Sequence, residues 1–226
     1  MVAPSPPSQR TALLAGATGL VGSLCLDELL ASGAYDGVIV VSRRSLDRKH
    51  PKLRVVVTDF ERLDHVGQEL RADDVFCCLG TTMARAGTRE RFRKVDYEYP
   101  VRLARVARQQ GAERFILVSS LGADPGAQTF YARVKGETEA AVAREGFATL
   151  VILRPSLLLG GREERRPLER VAQRVFRRLV PVLVGPLRRA RPIEATVVAR
   201  AMVRLAASSP DGRHIVESHR IAEEGR

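Results

Sequence analysis

Tyr131 and Lys135 stand four residues apart in a segment, 129–145, whose pattern predicts a helix, so both side chains project from one face. Two serines, Ser119 and Ser120, end the predicted strand before that helix. A nearby ammonium favours the phenolate form of a tyrosine, which makes the phenol usable for proton transfer, and a serine hydroxyl can hold a carbonyl or alcohol oxygen. The predicted catalytic residues are therefore Tyr131, Lys135 and one of the serines. Ser120 is preferred because it stands at the strand end, although the choice between the two stays open.

A glycine-rich turn near the start of the chain could place a cofactor beside these groups. The apolar run 13–15 ends in Gly16-x-x-Gly19-x-x-Gly22 and continues into a pattern typical of a helix. In a strand–turn–helix context, glycines let the backbone approach a phosphate, and free N–H groups at the helix start bind a pyrophosphate. A glycine turn without a ligand has the same spacing, but the context favours a dinucleotide site.

The ends of the next three predicted strands carry further candidates for the same cofactor. Arg43 and Arg44 follow the second strand, where an acidic residue would bind the ribose of NAD, so the pair indicates the 2′-phosphate of NADPH. A solvated arginine pair is the alternative. Asp59 could contact the adenine amino group or cap the following helix, and the sequence favours neither. Gly80 would let the backbone pass closely over the cofactor.

Strands alternate with helices along the chain, and the strands are continuously apolar. This pattern predicts an α/β fold, a doubly wound parallel sheet of Rossmann type with strand order 3-2-1-4-5-6. We expect a single domain over 10–226, preceded by a disordered tail at 1–9. A small C-terminal helical extension, about 156–226, is expected to meet the substrate or a partner.

Four segments carry more specific structural predictions. The long helical pattern 90–110 is expected to break at Pro100. In 168–179 an apolar face lies opposite several arginines, which indicates an ordinary surface helix or, less favoured, a helix on a membrane surface. The segment 193–207 predicts a covering helix, and 214–217 predicts a short edge strand.

Composition excludes several classes of function. The net charge of +11 comes mostly from scattered arginines without aromatic residues between them, so we expect no specific nucleic-acid binding. No histidines and cysteines have zinc-ligand spacing, so no metal site is expected. No apolar run approaches the ~18 residues of a membrane span. Three cysteines, an odd number, indicate a reducing compartment, and a cytoplasmic location is expected.

Several blocks of the chain resemble the short-chain dehydrogenase/reductase superfamily, and within it the atypical branch typified by the Tat-interactive oxidoreductase-like proteins. These blocks are 16–22, 76–82, 95–96, 119–124, 131–137, 154–155 and 164–167. The resemblance implies an NADPH-binding fold with assigned positions: Thr18, Gly19, Leu20 and Val21 at the pyrophosphate, Arg43 and Arg44 at the 2′-phosphate, Leu79 and Gly80 over the cofactor, Leu158 near the nicotinamide, Arg166 on its phosphate side, and Tyr131 and Lys135 as the catalytic pair, which also contacts the cofactor. Asp96 departs from the pattern, because the superfamily often has asparagine there.

The sequence therefore predicts an NADPH-dependent carbonyl reductase that transfers hydride to a small or medium-sized carbonyl substrate. An alternative of another class is an NADPH-responsive regulatory binding protein with little or no turnover, whose partner surface is the 160–190 region. The sequence leaves open whether the protein is a monomer or a homodimer.

Overall fold

A computed structural model of the chain describes residues 10–160 and 191–226. Its main sheet has seven strands, all parallel, in the spatial order β3-β2-β1-β4-β5-β6-β9. These strands are β1 (Thr11–Ala15), β2 (Gly37–Ser42), β3 (Leu53–Val57), β4 (Asp74–Cys77), β5 (Arg114–Val118), β6 (Thr149–Arg154) and β9 (Gly212–Glu217). The predicted Rossmann order is confirmed, and the predicted edge strand extends the sheet beyond β6. Two short strands, β7 (Leu158–Leu159) and β8 (Ile193–Glu194), pair separately.

Helices cover both faces of the sheet. They are α1 (Leu20–Ala31), α2 (Met83–Ala86), α3 (Arg89–Arg93), α4 (Tyr99–Gln109), α5 (Phe130–Ala143), α6 (Ala195–Ser208) and α7 (Ser218–Glu224), with a 3-10 helix at Phe60–Leu70. Neighbouring strand residues point to opposite layers: Leu14 packs with α1 and α6, whereas Leu13 packs with α4 and the 3-10 helix. This two-sided burial explains why the strands are apolar without alternation.

The predicted break at Pro100 takes a different form. The helix runs on through Pro100, and the irregularity precedes it as a π-helical turn, Lys94–Glu98. Proline has no N–H to donate to the carbonyl of Asp96, four residues earlier. That carbonyl accepts a hydrogen bond from the hydroxyl of Thr138 on α5 instead, at 2.7 Å. The turn thereby attaches Asp96 to the helix that carries Tyr131 and Lys135.

The predicted tail at 1–9 and the amphipathic segment 168–179 lie outside the described residues. None of the helices in the described ranges has the length and hydrophobicity that a membrane span requires.

Candidate active site

The glycine turn after β1 is so tightly built that side chains are excluded from it. Gly16 has a φ of +91°, and a Cβ there would lie 2.6 Å from the carbonyl carbon of Cys78, the residue that follows β4. A Cβ on Gly22 would lie 2.0 Å from the carbonyl oxygen of Gly16. Gly19 donates its N–H to that same oxygen at 2.9 Å. The turn is therefore a bare backbone concavity of the kind that accepts a phosphate.

The N-terminus of α1 opens onto this concavity. Gly19 precedes the helix, no side chain caps it, and no acidic residue lies in its first turn. Thr18, Gly19 and Leu20 are exposed, whereas Val21 is buried. The first N–H groups, those of Leu20 and Val21, have no partner among the described residues. They are thus available to an anion, which the helix dipole also favours.

The two predicted arginines lie at the end of β2. Both Arg43 and Arg44 are exposed, and neither forms an ion pair with any described residue. Nearby, a cleft of about 270 Å³ separates the glycine turn and α1 from the connection after β2. Its lining residues are Ala17, Thr18, Ser23, Leu26, Ser45, Leu46, Asp47 and Arg48. Arg48, which the sequence does not single out, forms an ion pair with Asp27 of α1.

The remaining predicted cofactor residues are less directly placed. Asp59 adopts the capping role, accepting the N–H of Glu61 at 3.1 Å at the start of the 3-10 helix. Leu79 follows β4 and is half-buried, and Leu158 pairs in β7 with Ile193. Arg166 lies outside the described residues.

Tyr131 and Lys135 occupy the first two turns of α5, at the carboxyl end of the sheet. The Tyr131 side chain is 36% exposed, and its ring contacts Phe92 at a centroid distance of 5.5 Å. Lys135 is 7% exposed, and its ammonium lies 2.8 Å from the Oδ1 oxygen of Asp96. A Cβ on Gly80 would lie 3.3 Å from that oxygen and 3.4 Å from the ammonium, so the segment after β4 passes directly over the ion pair.

Burial and mutual attraction compete in this pair. Burial disfavours the ammonium of Lys135, but the Asp96 carboxylate beside it outweighs that effect, so the pKa of Lys135 lies above its ordinary value. Burial raises the pKa of Asp96, and Lys135 opposes that rise. Because Asp96 also accepts the N–H of Thr81 at 2.8 Å, we assign the ionised form to both partners at neutral pH.

The two serines have different surroundings. Ser119 is buried and donates its hydroxyl to Glu139 of α5, which also binds the Arg154 guanidinium at 3.0 and 2.6 Å. Ser120 is half-buried, and its hydroxyl has one weak contact among the described residues, 3.4 Å to the carbonyl of Leu121. Ser119 is therefore engaged in a structural network, and Ser120 is the serine available to a ligand.

Sequence reasoning assigns no role to Asp96, Thr81 or Glu139. Asp96 does have a signal in the sequence, because it stands four residues before Pro100. Its carbonyl therefore lacks the usual N–H donor of an α-helix and must find another partner. The contacts of Thr81 and Glu139 join residues 15 and 20 positions apart along the chain and leave no local pattern.

Residues 12–216 match the model of the NAD dependent epimerase/dehydratase family. The chain belongs to this family. Protein HTATIP2 of Rattus norvegicus is 37% identical over 171 residues, which is 74% of this chain and 70% of the relative. Protein FMP52, mitochondrial, of Debaryomyces hansenii is 35% identical over 200 residues, 87% of each chain. The predicted resemblance to the Tat-interactive branch is thereby confirmed.

Solved structures with the same fold include two that hold ligands. The Bordetella bronchiseptica enzyme WbmH in complex with NAD+ superposes with a TM-score of 0.69 at 17% identity, covering 93% of this chain and 76% of WbmH. UDP-glucose 4-epimerase from Thermotoga maritima, with UDP-glucose, has a TM-score of 0.67 at 19% identity and covers 92% and 76%. At these identities the likeness establishes the Rossmann-type fold of this epimerase/dehydratase family member.

The expectation of a cytoplasmic location is wrong. Several relatives of this epimerase/dehydratase family member, including the FMP52 proteins of Debaryomyces hansenii and Aspergillus oryzae, are mitochondrial by name. The expectation rested on cysteine number, and the three cysteines are indeed free thiols. Free thiols indicate a reducing environment, which does not by itself identify a compartment.

Proposed function

We propose that this epimerase/dehydratase family member is an NADPH-dependent carbonyl reductase acting on a small or medium-sized carbonyl compound. The observation that carries the proposal is the placement of Tyr131 beside a buried, ion-paired Lys135 at the same sheet edge as the glycine turn. Family members are NAD(P)-dependent enzymes, which supports the choice of cofactor class.

The glycine turn can take the cofactor's pyrophosphate only in its present shape, and a Cβ at Gly16 or Gly22 would collide with backbone atoms and distort it. We assign Thr18, Gly19, Leu20 and Val21 to the pyrophosphate, as the exposed start of α1 allows. The remaining assignments follow the resemblance: Arg43 and Arg44 at the 2′-phosphate, Leu79 and Gly80 over the cofactor, Leu158 at the nicotinamide and Arg166 on its phosphate side.

Each catalytic residue has a distinct part in this proposal. Bound NADPH supplies the hydride. Tyr131 donates a proton to the carbonyl oxygen, and the ammonium of Lys135 stabilises the phenolate that remains. The hydroxyl of Ser120, whose contact with the Leu121 carbonyl is weak, donates a hydrogen bond to the same oxygen and orients it. Lys135 also binds the ribose of the cofactor.

The arginine pair leads to a prediction on cofactor choice. We expect NADPH to bind at least tenfold more tightly than NADH, a difference of ~1.4 kcal/mol, because two guanidiniums can bind the extra phosphate. The double variant Arg43→Ala, Arg44→Ala should lose this preference. Titration calorimetry with both cofactors measures it. Arg213→Ala, which removes an exposed arginine on the far edge strand, is the matched control and should keep the preference. Equal affinity in the parent would contradict the assignment.

The adjacent serines offer a matched test of the reductase itself. NADPH oxidation is followed by absorbance against a panel of aldehydes, ketones and quinones. Ser120→Ala should lower turnover of an accepted carbonyl about tenfold, the effect of one lost hydrogen bond of ~1.4 kcal/mol. Ser119→Ala should leave turnover near the parent and lower the free energy of unfolding by about 1 kcal/mol, because Glu139 keeps Arg154 as a partner.

A parent that binds NADPH but oxidises it with no member of the panel would overturn the reductase proposal in favour of an NADPH-responsive binding protein.

A further inference from the structure

Asp96 is fully buried among the proposed catalytic residues, with 0% exposure. One carboxylate oxygen lies 2.8 Å from the Lys135 ammonium, and the other accepts the backbone N–H of Thr81 at 2.8 Å. Thr81 belongs to the segment that leaves β4 through Leu79 and Gly80. A single side chain thus connects the lysine to the segment assigned to the cofactor.

The backbone of Asp96 is attached to the same helix as its side chain. The Asp96 carbonyl receives no hydrogen bond from Pro100, which has no N–H, and it accepts one from the Thr138 hydroxyl at 2.7 Å. Thr138 lies three residues after Lys135 on α5, so the two contacts fall on neighbouring turns of one helix. These two attachments fix the carboxylate relative to the lysine.

The titratable groups that face Lys135 are Asp96 on the π-helical turn, Tyr131 on α5 and Cys77 at the end of β4. Asp96 faces Lys135 and Cys77. Burial raises the pKa of the Cys77 thiol to about 12, so this group is neutral over the working range. Among the described residues that face Lys135, the charge that balances its ammonium is therefore the Asp96 carboxylate.

We propose that Asp96 is a positioning residue that holds the Lys135 ammonium and balances its charge beside Tyr131, which biases the site towards proton donation. The functional role of this bias rests on the proposed reductase function, because carbonyl reduction requires a tyrosine that can donate a proton, whereas alcohol oxidation requires a phenolate that can accept one. The charge relation itself does not depend on turnover.

The direction of the expected effect follows from counting charges. With Asp96 ionised, the cluster of Asp96, protonated Lys135 and neutral Tyr131 has a net charge of zero. Asp96→Asn makes that net charge +1, so the first proton leaves the Lys135–Tyr131 pair more readily, whichever of the two groups loses it. We expect the midpoint of this first loss to fall by about one pH unit or more, the usual effect of one nearby charge.

The experiment is a pH titration of the cofactor-free protein by NMR, with carbon-13 in tyrosine and lysine side chains. The chain has only four tyrosines and four lysines, so the Tyr131 and Lys135 signals are assigned by their loss in Tyr131→Phe and Lys135→Met. Asp96→Asn is nearly isosteric and can still accept the Thr81 N–H. Asp96→Ser provides a second neutral variant, whose smaller side chain is easier to accommodate. Either variant tests the proposal.

Two charge-conserving variants separate this role from a purely structural one. Asp96→Glu retains the carboxylate and should titrate close to the parent. Thr138→Val removes the hydroxyl that holds the Asp96 carbonyl without changing any charge, and should also keep the parent midpoint. A first proton loss at the same or higher pH in the neutral variants, or an equal fall in Thr138→Val, would overturn the proposal. Because no substrate is involved, this result is distinct from a failure of the reductase assay.

Discussion

Replacing Tyr131 by phenylalanine is expected to lower the turnover of any accepted carbonyl by about 10²–10⁴-fold, the usual scale for a lost general acid. The change removes one hydroxyl and keeps the ring, so the contact with Phe92 is retained. Because the residues assigned to the pyrophosphate and the 2′-phosphate are unchanged, NADPH affinity should stay near the parent value. Steady-state NADPH oxidation and direct NADPH titration together measure both quantities.

Matched variants make the Tyr131 result specific. Tyr97→Phe removes a hydroxyl from a half-buried tyrosine that packs against Arg93, and should leave turnover unchanged. Lys135→Ala should reduce both turnover and NADPH affinity, because the lysine is assigned to the ribose as well as to Tyr131. An NADPH-responsive binding protein gives the opposite pattern: Tyr131→Phe has no effect, and partner binding follows NADPH occupancy.

The sheet and the glycine turn follow from local sequence patterns. Leu13 and Leu14 face opposite helical layers, and both are apolar because both layers are buried. A continuous apolar run of this kind predicts a strand of a parallel sheet, even when the adjacent strands are not known. Gly16 and Gly22 can likewise be predicted to form a tight turn from the sequence, because each position excludes a side chain. Local constraints of this kind are sufficient to predict the strands and the place of the glycine turn, and the right-handed crossover rule then gives the strand order.

The site's polar partners depend on contacts that no local pattern specifies. Ser119 and Ser120 are chemically identical neighbours, and the position of Glu139 on α5 is what separates the engaged hydroxyl from the available one. The location of Asp96 depends on how the π-helical turn meets Thr138, 42 residues later. Such distinctions come from packing between elements, so the sequence predicts the residue types of the candidate site but not their partners.

Gly22→Ala should damage cofactor binding without touching a catalytic residue. The added Cβ would lie 2.0 Å from the Gly16 carbonyl oxygen, so either the turn or the start of α1 must move. Overpacking of this kind lowers the free energy of unfolding by about 1–3 kcal/mol. Because both movable parts form the concavity assigned to the pyrophosphate, we expect NADPH affinity to fall about 10²-fold or more. Thermal unfolding and NADPH titration measure the two effects separately.

Gly33→Ala is the matched control at the other end of the same helix. A Cβ there meets nothing within 4 Å, so the variant adds the same methyl group in open space. It should bind NADPH like the parent, and its free energy of unfolding should change little or rise slightly, because alanine has less freedom than glycine in the unfolded chain. A folded Gly22→Ala variant that binds NADPH as tightly as Gly33→Ala would refute the assignment of the glycine turn to the cofactor. Weak binding confined to Gly22→Ala instead supports it, because the methyl group acts there only through the shape of the concavity.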